Sequence, residues 1–420
     1  MTKRCVLDAV GCALAGVKAE QVASLVRQLS GCCPDEGSPV WGTGVKTSLS
    51  WSIFLNACSA SYFDLDDGHR LAQGHPGAAV IPAALSVAAY LGCSGRVFLE
   101  AVVCGYEVAI RSALTMRALG GPRKGSGAWV TTGVAAALAK LLDLKPKEIL
   151  DALGLAEFYA PQAPQDRSSA HPSFMKEGIP WGAYTGHMAT FLASKRLQAM
   201  RPFLCDAPAI RNLGETYEIE RVYFKRYAAC RFIHPVLDDL ARIKEERNVA
   251  WTEIDRIDIR TFEKGILLDQ RDPTDPIAAV YSYPFAVASY LRHGRLGPRE
   301  VSGPALSDPQ VRDLARRIRL KEDGELTSLF PERCLARMEV TFSDGERYES
   351  GLLSAKGDPE DPLSEEDLLA KFRFLVEPVY GQQWHSFPRV IDRLDKEDAA
   401  VSEVIGLLSA GCNAPSEGGT

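Results

Sequence analysis

The chain has 420 residues, 46% apolar and 24% charged, with ordinary glycine and proline usage, which excludes disordered, collagenous and coiled-coil classes and suggests two or three folded domains. Its 48 basic against 54 acidic side chains leave a formal charge of -6. No net field draws such a chain to nucleic acid or an anionic membrane, so an anionic ligand needs a local cluster of cations. The 11 cysteines are dispersed except for the adjacent Cys32 and Cys33, and no C-x-x-C occurs; zinc ribbons, redox pairs and iron–sulfur sites lose support, and small buried thiols in a reducing compartment are expected.

At the N-terminus Lys3 and Arg4 precede a mildly apolar run with some likeness to a signal peptide. Asp8 interrupts it, and Val6, Leu7, Val10 and Leu14 recur at helical spacing, which predicts an amphipathic helix. The run from Ala78 to Gly92 contains Pro82 and is too short to cross a bilayer, so no membrane span and a cytoplasmic location are expected. Leu99, Val102, Val103, Tyr106, Ile110, Ala113 and Leu114 form one helical stripe; Val134, Leu138, Leu141 and Leu142 form another. These segments are alanine-rich and poor in charge, as in helices buried on more than one face of a large bundle.

From about residue 221 to 357 the pattern alternates. Ile257, Ile259 and Thr261 make one run, and Met338, Val340 and Phe342 another, followed by Asp344-Gly345 and Arg347 to Ser350, a hairpin signal. Ser364 before Glu365, Glu366 and Asp367 reads as the N-cap of a returning helix. The predicted fold is mainly α: a large discontinuous helical domain made of residues 1–220 and 361–420, with a smaller α+β lid inserted at 221–360. A cleft between them is the expected ligand site. Asn413 to Thr420 reads as a frayed tail.

Four clusters could carry chemistry. Asp64-Leu65-Asp66-Asp67-Gly68-His69, followed by His75-Pro76-Gly77, puts three carboxylates and two imidazoles in a dozen residues. Such a set can supply an acid, a base or metal ligands, although Asp/Gly/Pro loops also cap helices and make turns. Asp64 and Asp66 copy the opening of a calcium loop, but its later acidic positions are missing. Lys176, beside Met175 and Trp181, is either an anion clamp or a solvated lysine next to a capping glutamate. The segment Phe224 to Pro235 interleaves Lys225, Arg226, Arg231 and His234 with aromatics and fits a carboxylate-binding wall. Tyr281 and Tyr283 are either proton donors or core residues. The glycine-rich stretch 120–127 lacks phosphate-loop spacing and a preceding strand, so no nucleotide site is expected there.

In this order the clusters resemble the MmgE/PrpD family, which includes 2-methylcitrate dehydratase, cis-aconitate decarboxylase and iminodisuccinate epimerase. Val6 to Gly16, Asn56-Ala57 leading to Phe63-Asp64-Leu65-Asp66-Asp67 and His75-Pro76, Thr132-Gly133, Lys176 ahead of Gly182 and Gly186, Lys225 to Pro235, Tyr283 to Ala288, and Pro362 to Phe372 carry the likeness over nearly the whole chain. The resemblance implies a helical domain with a lid, a homodimer, and a site that needs no cofactor or metal. It also implies that Asp64, His75, Lys176 and Lys225 are catalytic. The family threonine falls on Gly68, with His69 near enough to take its space. The family histidine before the Thr-Gly block falls near Lys124, and the family tyrosine falls on Phe285, which cannot transfer a proton.

The expected mechanism makes His75 the proton carrier, oriented by Asp64. Lys176 and Lys225, supported by Arg226 and Arg231, would bind substrate carboxylates and stabilise an enolate-like intermediate. His69, Lys124, Tyr281 and Tyr283 complete the expected binding set. The favoured reaction is dehydration of a citrate or 2-alkylcitrate. The alternatives are epimerisation or decarboxylation of a related acid, a non-catalytic polycarboxylate-binding protein, and a metal-dependent hydrolase built on Asp66, Asp67, His69 and His75.

Overall fold

The computed structural model describes residues 1–32, 37–120, 122–247 and 250–409. The expected frayed tail and Cys33 lie outside them. The fold is mainly α, as the sequence predicts.

The first helix, α1 (Thr2–Gly16), is buried continuously from Cys5 to Gly16. It is therefore not the amphipathic helix that the spacing of its larger residues predicts. Its alanines, cysteines and glycines let neighbours close in on every side: a Cβ on Gly11 would lie 2.9 Å from the Phe372 ring. Helix α2 (Leu49–Ser61) starts at Ser48, whose hydroxyl accepts from the Trp51 amide. Helices α3 (Gly77–Leu91), α4 (Gly95–Ala118), α5 (Gly127–Leu141), α6 (Pro146–Tyr159) and α7 (Ile179–Ser194) are the other long helices of the N-terminal bundle. Both α3 and α5 are alanine-rich and almost wholly buried.

Strand β1 (Gly68–His69) pairs antiparallel with β2 (Val222–Tyr223), which ties the Asp-rich loop to the start of the α+β segment. After α8 (His234–Arg247) come β3 (Ile254–Thr261), α9 (Tyr283–His293), α10 (Pro309–Arg316), β4 (Ile318–Glu322), β5 (Leu335–Phe342), β6 (Arg347–Glu349) and β7 (Leu353–Ser354). The sheet runs β4-β3-β5-β6, with β7 also on β5; only the β3–β4 pair is parallel. Ile257 opposes Val340 and Ile259 opposes Met338, all four buried, so the alternation reports the core face. Gly345, at φ 90°, sits in the turn between β5 and β6 that Asp344-Gly345 predicts.

Helix α11 (Glu365–Tyr380) begins at Ser364, whose hydroxyl and amide exchange hydrogen bonds with Asp367 in a capping box. It returns to the bundle and presses Phe372 on α1. Buried apolar side chains from the bundle, the sheet and α11 form one continuous core. Among the described residues no single helix is long and apolar enough to cross a membrane. Cys5, Cys12, Cys58, Cys230 and Cys334 are buried free thiols, whereas Cys32 is exposed.

Candidate active site

Beyond α2 the chain turns through Asp64 at φ 53°, a left-handed conformation that aspartate tolerates better than most residues. The turn leaves Asp64 1% exposed. Lys176 donates to its Oδ1 at 2.6 Å, and Lys225 donates to its Oδ2 and its carbonyl oxygen, each at 2.8 Å. Burial alone would raise this carboxyl, but Lys176, Lys225 and His75 together hold it well below the usual carboxylate range. Asp64 is therefore an anion.

His75 precedes α3. Its Nδ1 lies 2.8 Å from the backbone oxygen of Asp67. A carbonyl can only accept, so Nδ1 carries a hydrogen; in the neutral ring the lone pair is then on Nε2, which lies 3.6 Å from Asp64 Oδ1. The orienting role that the sequence assigns to Asp64 thus belongs to the Asp67 carbonyl. The His75 amide donates to Ser126 Oγ at 3.1 Å.

Lys176 and Glu177 form the turn before α7 with φ of 38° and 57°, followed by Gly178 at 75°. Two consecutive left-handed residues other than glycine cost about 1–3 kcal/mol each and persist only where the surroundings enforce them. The enforcement comes from the glycine-rich stretch: a Cβ on Gly127 would lie 2.4 Å from the Gly178 oxygen, so the two backbones lie in direct contact. The turn delivers Lys176 to Asp64. It also delivers Glu177, whose Oε2 accepts from Ser126 Oγ at 2.6 Å and whose Oε1 accepts from the Tyr281 hydroxyl at 3.2 Å. Lys176 Nζ donates to the same hydroxyl at 3.2 Å. Burial, with Asp64 and Glu177 nearby, pushes the Tyr281 phenol well above its ordinary value, which keeps it protonated.

Behind the Asp-rich loop Lys371 of α11 donates to Asp8 Oδ1 and to the Leu65 carbonyl, at 2.5 and 2.6 Å. Asp67 accepts from the Gly77 amide at 3.0 Å and from the Tyr106 hydroxyl at 2.7 Å. Burial first, and then the Asp8 charge, push its carboxyl up to about 8. Two aspartates three positions apart thus hold opposite protonation states at neutral pH.

Asp64, His75, Glu177 and Tyr281 line a small cavity of ≈ 40 Å³, partly open to solvent, and Arg231 lines it as well. The other expected residues lie elsewhere. Lys176 and Lys225 are not on its wall, because their ammonium groups are spent on the Asp64 carboxylate. His69 contacts Glu218 at 3.3 Å, and its Nδ1 accepts from the Ala72 amide. Lys124 donates to the Gln162 carbonyl beside a separate depression. Arg226 pairs with Asp238 at 2.7 Å. Tyr283, the first residue of α9, is fully buried and its hydroxyl has no hydrogen-bond partner. Residues two positions apart at a helix start point in different directions, so Tyr281 reaches the cavity and Tyr283 the core.

Sequence reasoning passed over Glu177, Ser126, Lys371 and Tyr106. The available signals were an ionisable Asp8 inside an apolar helix, which demands a buried partner, and a glutamate adjoining Lys176. Among the described residues, Asp64, Asp66 and His75 each offer a ligand atom within 4.8 Å of the others. Both Asp64 oxygens already accept from ammonium groups, and His75 Nδ1 is committed to a carbonyl, so the set suits proton chemistry better than a cation. His69 does not belong to it. A larger depression of ≈ 680 Å³ beside Phe374 is lined by Lys18 and Arg299 together with two ion pairs, Arg295 with Glu300 and Arg373 with Glu377.

Two family models match most of the chain. The MmgE/PrpD N-terminal domain matches residues 1–207, and the MmgE/PrpD C-terminal domain matches residues 227–396. The chain is 25% identical over 431 residues to a cis-aconitate decarboxylase of Mus musculus, covering 95% of this chain and 87% of the relative. It is 27% identical over 401 residues to that of Homo sapiens, covering 89% and 82%, and 23% identical over 425 residues to that of Aspergillus terreus, covering 90% and 84%.

Proposed function

The chain belongs to the MmgE/PrpD family, and on that premise we propose that it is a lyase of small polycarboxylates that needs no cofactor and dehydrates a citrate or 2-alkylcitrate. The carrying observation is one cavity lined by both His75, whose Nδ1 is tied to a carbonyl so that Nε2 is the nitrogen left for proton transfer, and a protonated phenol, Tyr281, in contact with an ammonium group.

Dehydration removes a proton from a carbon next to a carboxylate and expels a hydroxyl group. In this reading His75 Nε2 takes the proton, and the ionised Asp64 stabilises the imidazolium that results. The Tyr281 hydroxyl gives its proton to the departing hydroxyl, which leaves as water. The phenolate is held by Lys176 and is reprotonated from His75 when the product departs. Lys225 contributes by keeping Asp64 charged. Tyr281 thereby takes the donor role that Phe285 cannot fill.

A second reading, decarboxylation, is favoured by the names of the three relatives. One experiment separates them. Incubation with a 2-alkylcitrate should give new ultraviolet absorbance from a conjugated double bond, with no gas released. Carbon dioxide release from cis-aconitate, without turnover of any citrate, would replace the dehydratase reading by the decarboxylase one.

A further inference from the structure

The two lysines expected to grip the substrate are spent on Asp64, so its carboxylates need other cations. Among the described residues, the arginines and lysines that line the cavity are Arg70 and Arg231. Arg70 directly follows β1, and Arg231 lies 4.7 Å over the Tyr223 ring of β2, so both guanidinium groups sit beside one short ladder. They converge on Asp358: Arg231 Nη2 is 2.8 Å from one carboxylate oxygen and Arg70 Nη1 is 3.5 Å from the other. The Nε hydrogens of both arginines are buried without a partner, which leaves donors for a further acceptor.

The outer nitrogens of Arg70 grip Glu360 in a two-point pair at 3.0 and 2.5 Å. The two acidic partners differ in burial. The Asp358 side chain is 9% exposed and the Glu360 side chain is 65% exposed. Asp358 is a fixed counter-ion; Glu360 is held from outside and can swing into water at small cost. Arg231 Nη1 and Nη2 also donate to the Lys356 and Ala355 carbonyls, so departure of Glu360 vacates the fork of Arg70 and leaves two guanidinium groups against one carboxylate, a net positive socket suited to one incoming carboxylate.

We infer that Arg70 and Arg231 form the subsite for the substrate carboxylate remote from the reacting carbon, and that the Glu360 carboxylate occupies this subsite until substrate displaces it. The inference rests on the polycarboxylate reading of the cavity and adds to it a residue that sets the number of carboxylates accepted.

Calorimetric binding of propane-1,2,3-tricarboxylate and of methylsuccinate, which lacks one terminal carboxylate, tests it without turnover. The wild-type protein should prefer the tricarboxylate by roughly tenfold or more. Arg70→Gln should abolish that preference and leave methylsuccinate binding unchanged, which also reports an intact fold. Glu360→Gln, a change at an exposed side chain, should tighten tricarboxylate binding several-fold and carries the test if Arg70→Gln does not fold. Preference retained in Arg70→Gln, or unchanged tricarboxylate affinity in Glu360→Gln, overturns the subsite alone. Failure of the wild-type protein to bind either acid overturns the polycarboxylate reading beneath it.

Discussion

Nε2 of His75 stands 3.6 Å from Oδ1 of Asp64, the same oxygen that accepts from Lys176 at 2.6 Å. One carboxylate oxygen therefore answers to an imidazole and an ammonium at once. Any proton gained by His75 is stabilised at the point where it arrives.

Replacing His75 by Gln removes the proton carrier while filling similar space. Turnover should fall about 10²- to 10⁴-fold, with the thermal midpoint and KM little changed. Steady-state kinetics beside a melting curve check this, and near-normal kcat would remove His75 from the mechanism.

Asp64→Asn acts on stability as well as on rate. It leaves two ammonium groups, with side chains 2% and 0% exposed, without their shared counter-charge. Breaking a buried pair in this way costs about 3–5 kcal/mol, to be read as a lower urea midpoint. A variant as stable as wild type would show that the charges are solvated.

The two tyrosines should separate cleanly. Tyr281→Phe removes the hydroxyl between Lys176 and Glu177 and should lower kcat about 10²-fold or more. Tyr283→Phe removes a buried hydroxyl without a partner, so it should leave activity unchanged and stability equal or slightly higher. Equal losses of kcat in the two variants would contradict the assignment of the donor.

The Asp-rich loop should give stability a pH dependence of two signs. Asp67 holds its proton up to about 8 in the native state against an ordinary value of 3.8. Its contribution is complete below the ordinary value and is lost as pH rises toward about 8. Asp64 is shifted the other way, so its contribution is complete above the ordinary carboxylate value and is lost as pH falls below it. Asp67→Asn keeps an acceptor for Gly77 and a group for Tyr106. Urea titrations across this range should show a flatter profile between pH 4 and 8 and higher stability than wild type at pH 8. An unchanged slope would place the titration elsewhere.

Much of the fold was legible because it is written in local pattern. The capping box at Ser364 and the Asp344-Gly345 turn depend on neighbours within a few residues. The alternation at Ile257 and Ile259 reports a buried sheet face directly. Helix α1 was misread as amphipathic because burial on its second side comes from Phe372, more than 350 positions away.

The family resemblance carried by the sequence was enough to imply Asp64, His75, Lys176 and Lys225 as one chemical group, while the residues alone left Tyr281 as either a proton donor or a core residue. What each of them faces was decided only by the tertiary structure, because charge balance in a buried site is a property of all the groups that meet there. Lys176 and Lys225 became partners of Asp64 instead of walls of the cavity, the Asp67 carbonyl set the tautomer of His75, and Arg70 came to stand opposite Asp358 and Glu360 across nearly 290 residues of chain. No window of sequence contains those pairs, since the loop and turn that bring them together are closed by contacts between segments that only folding makes adjacent.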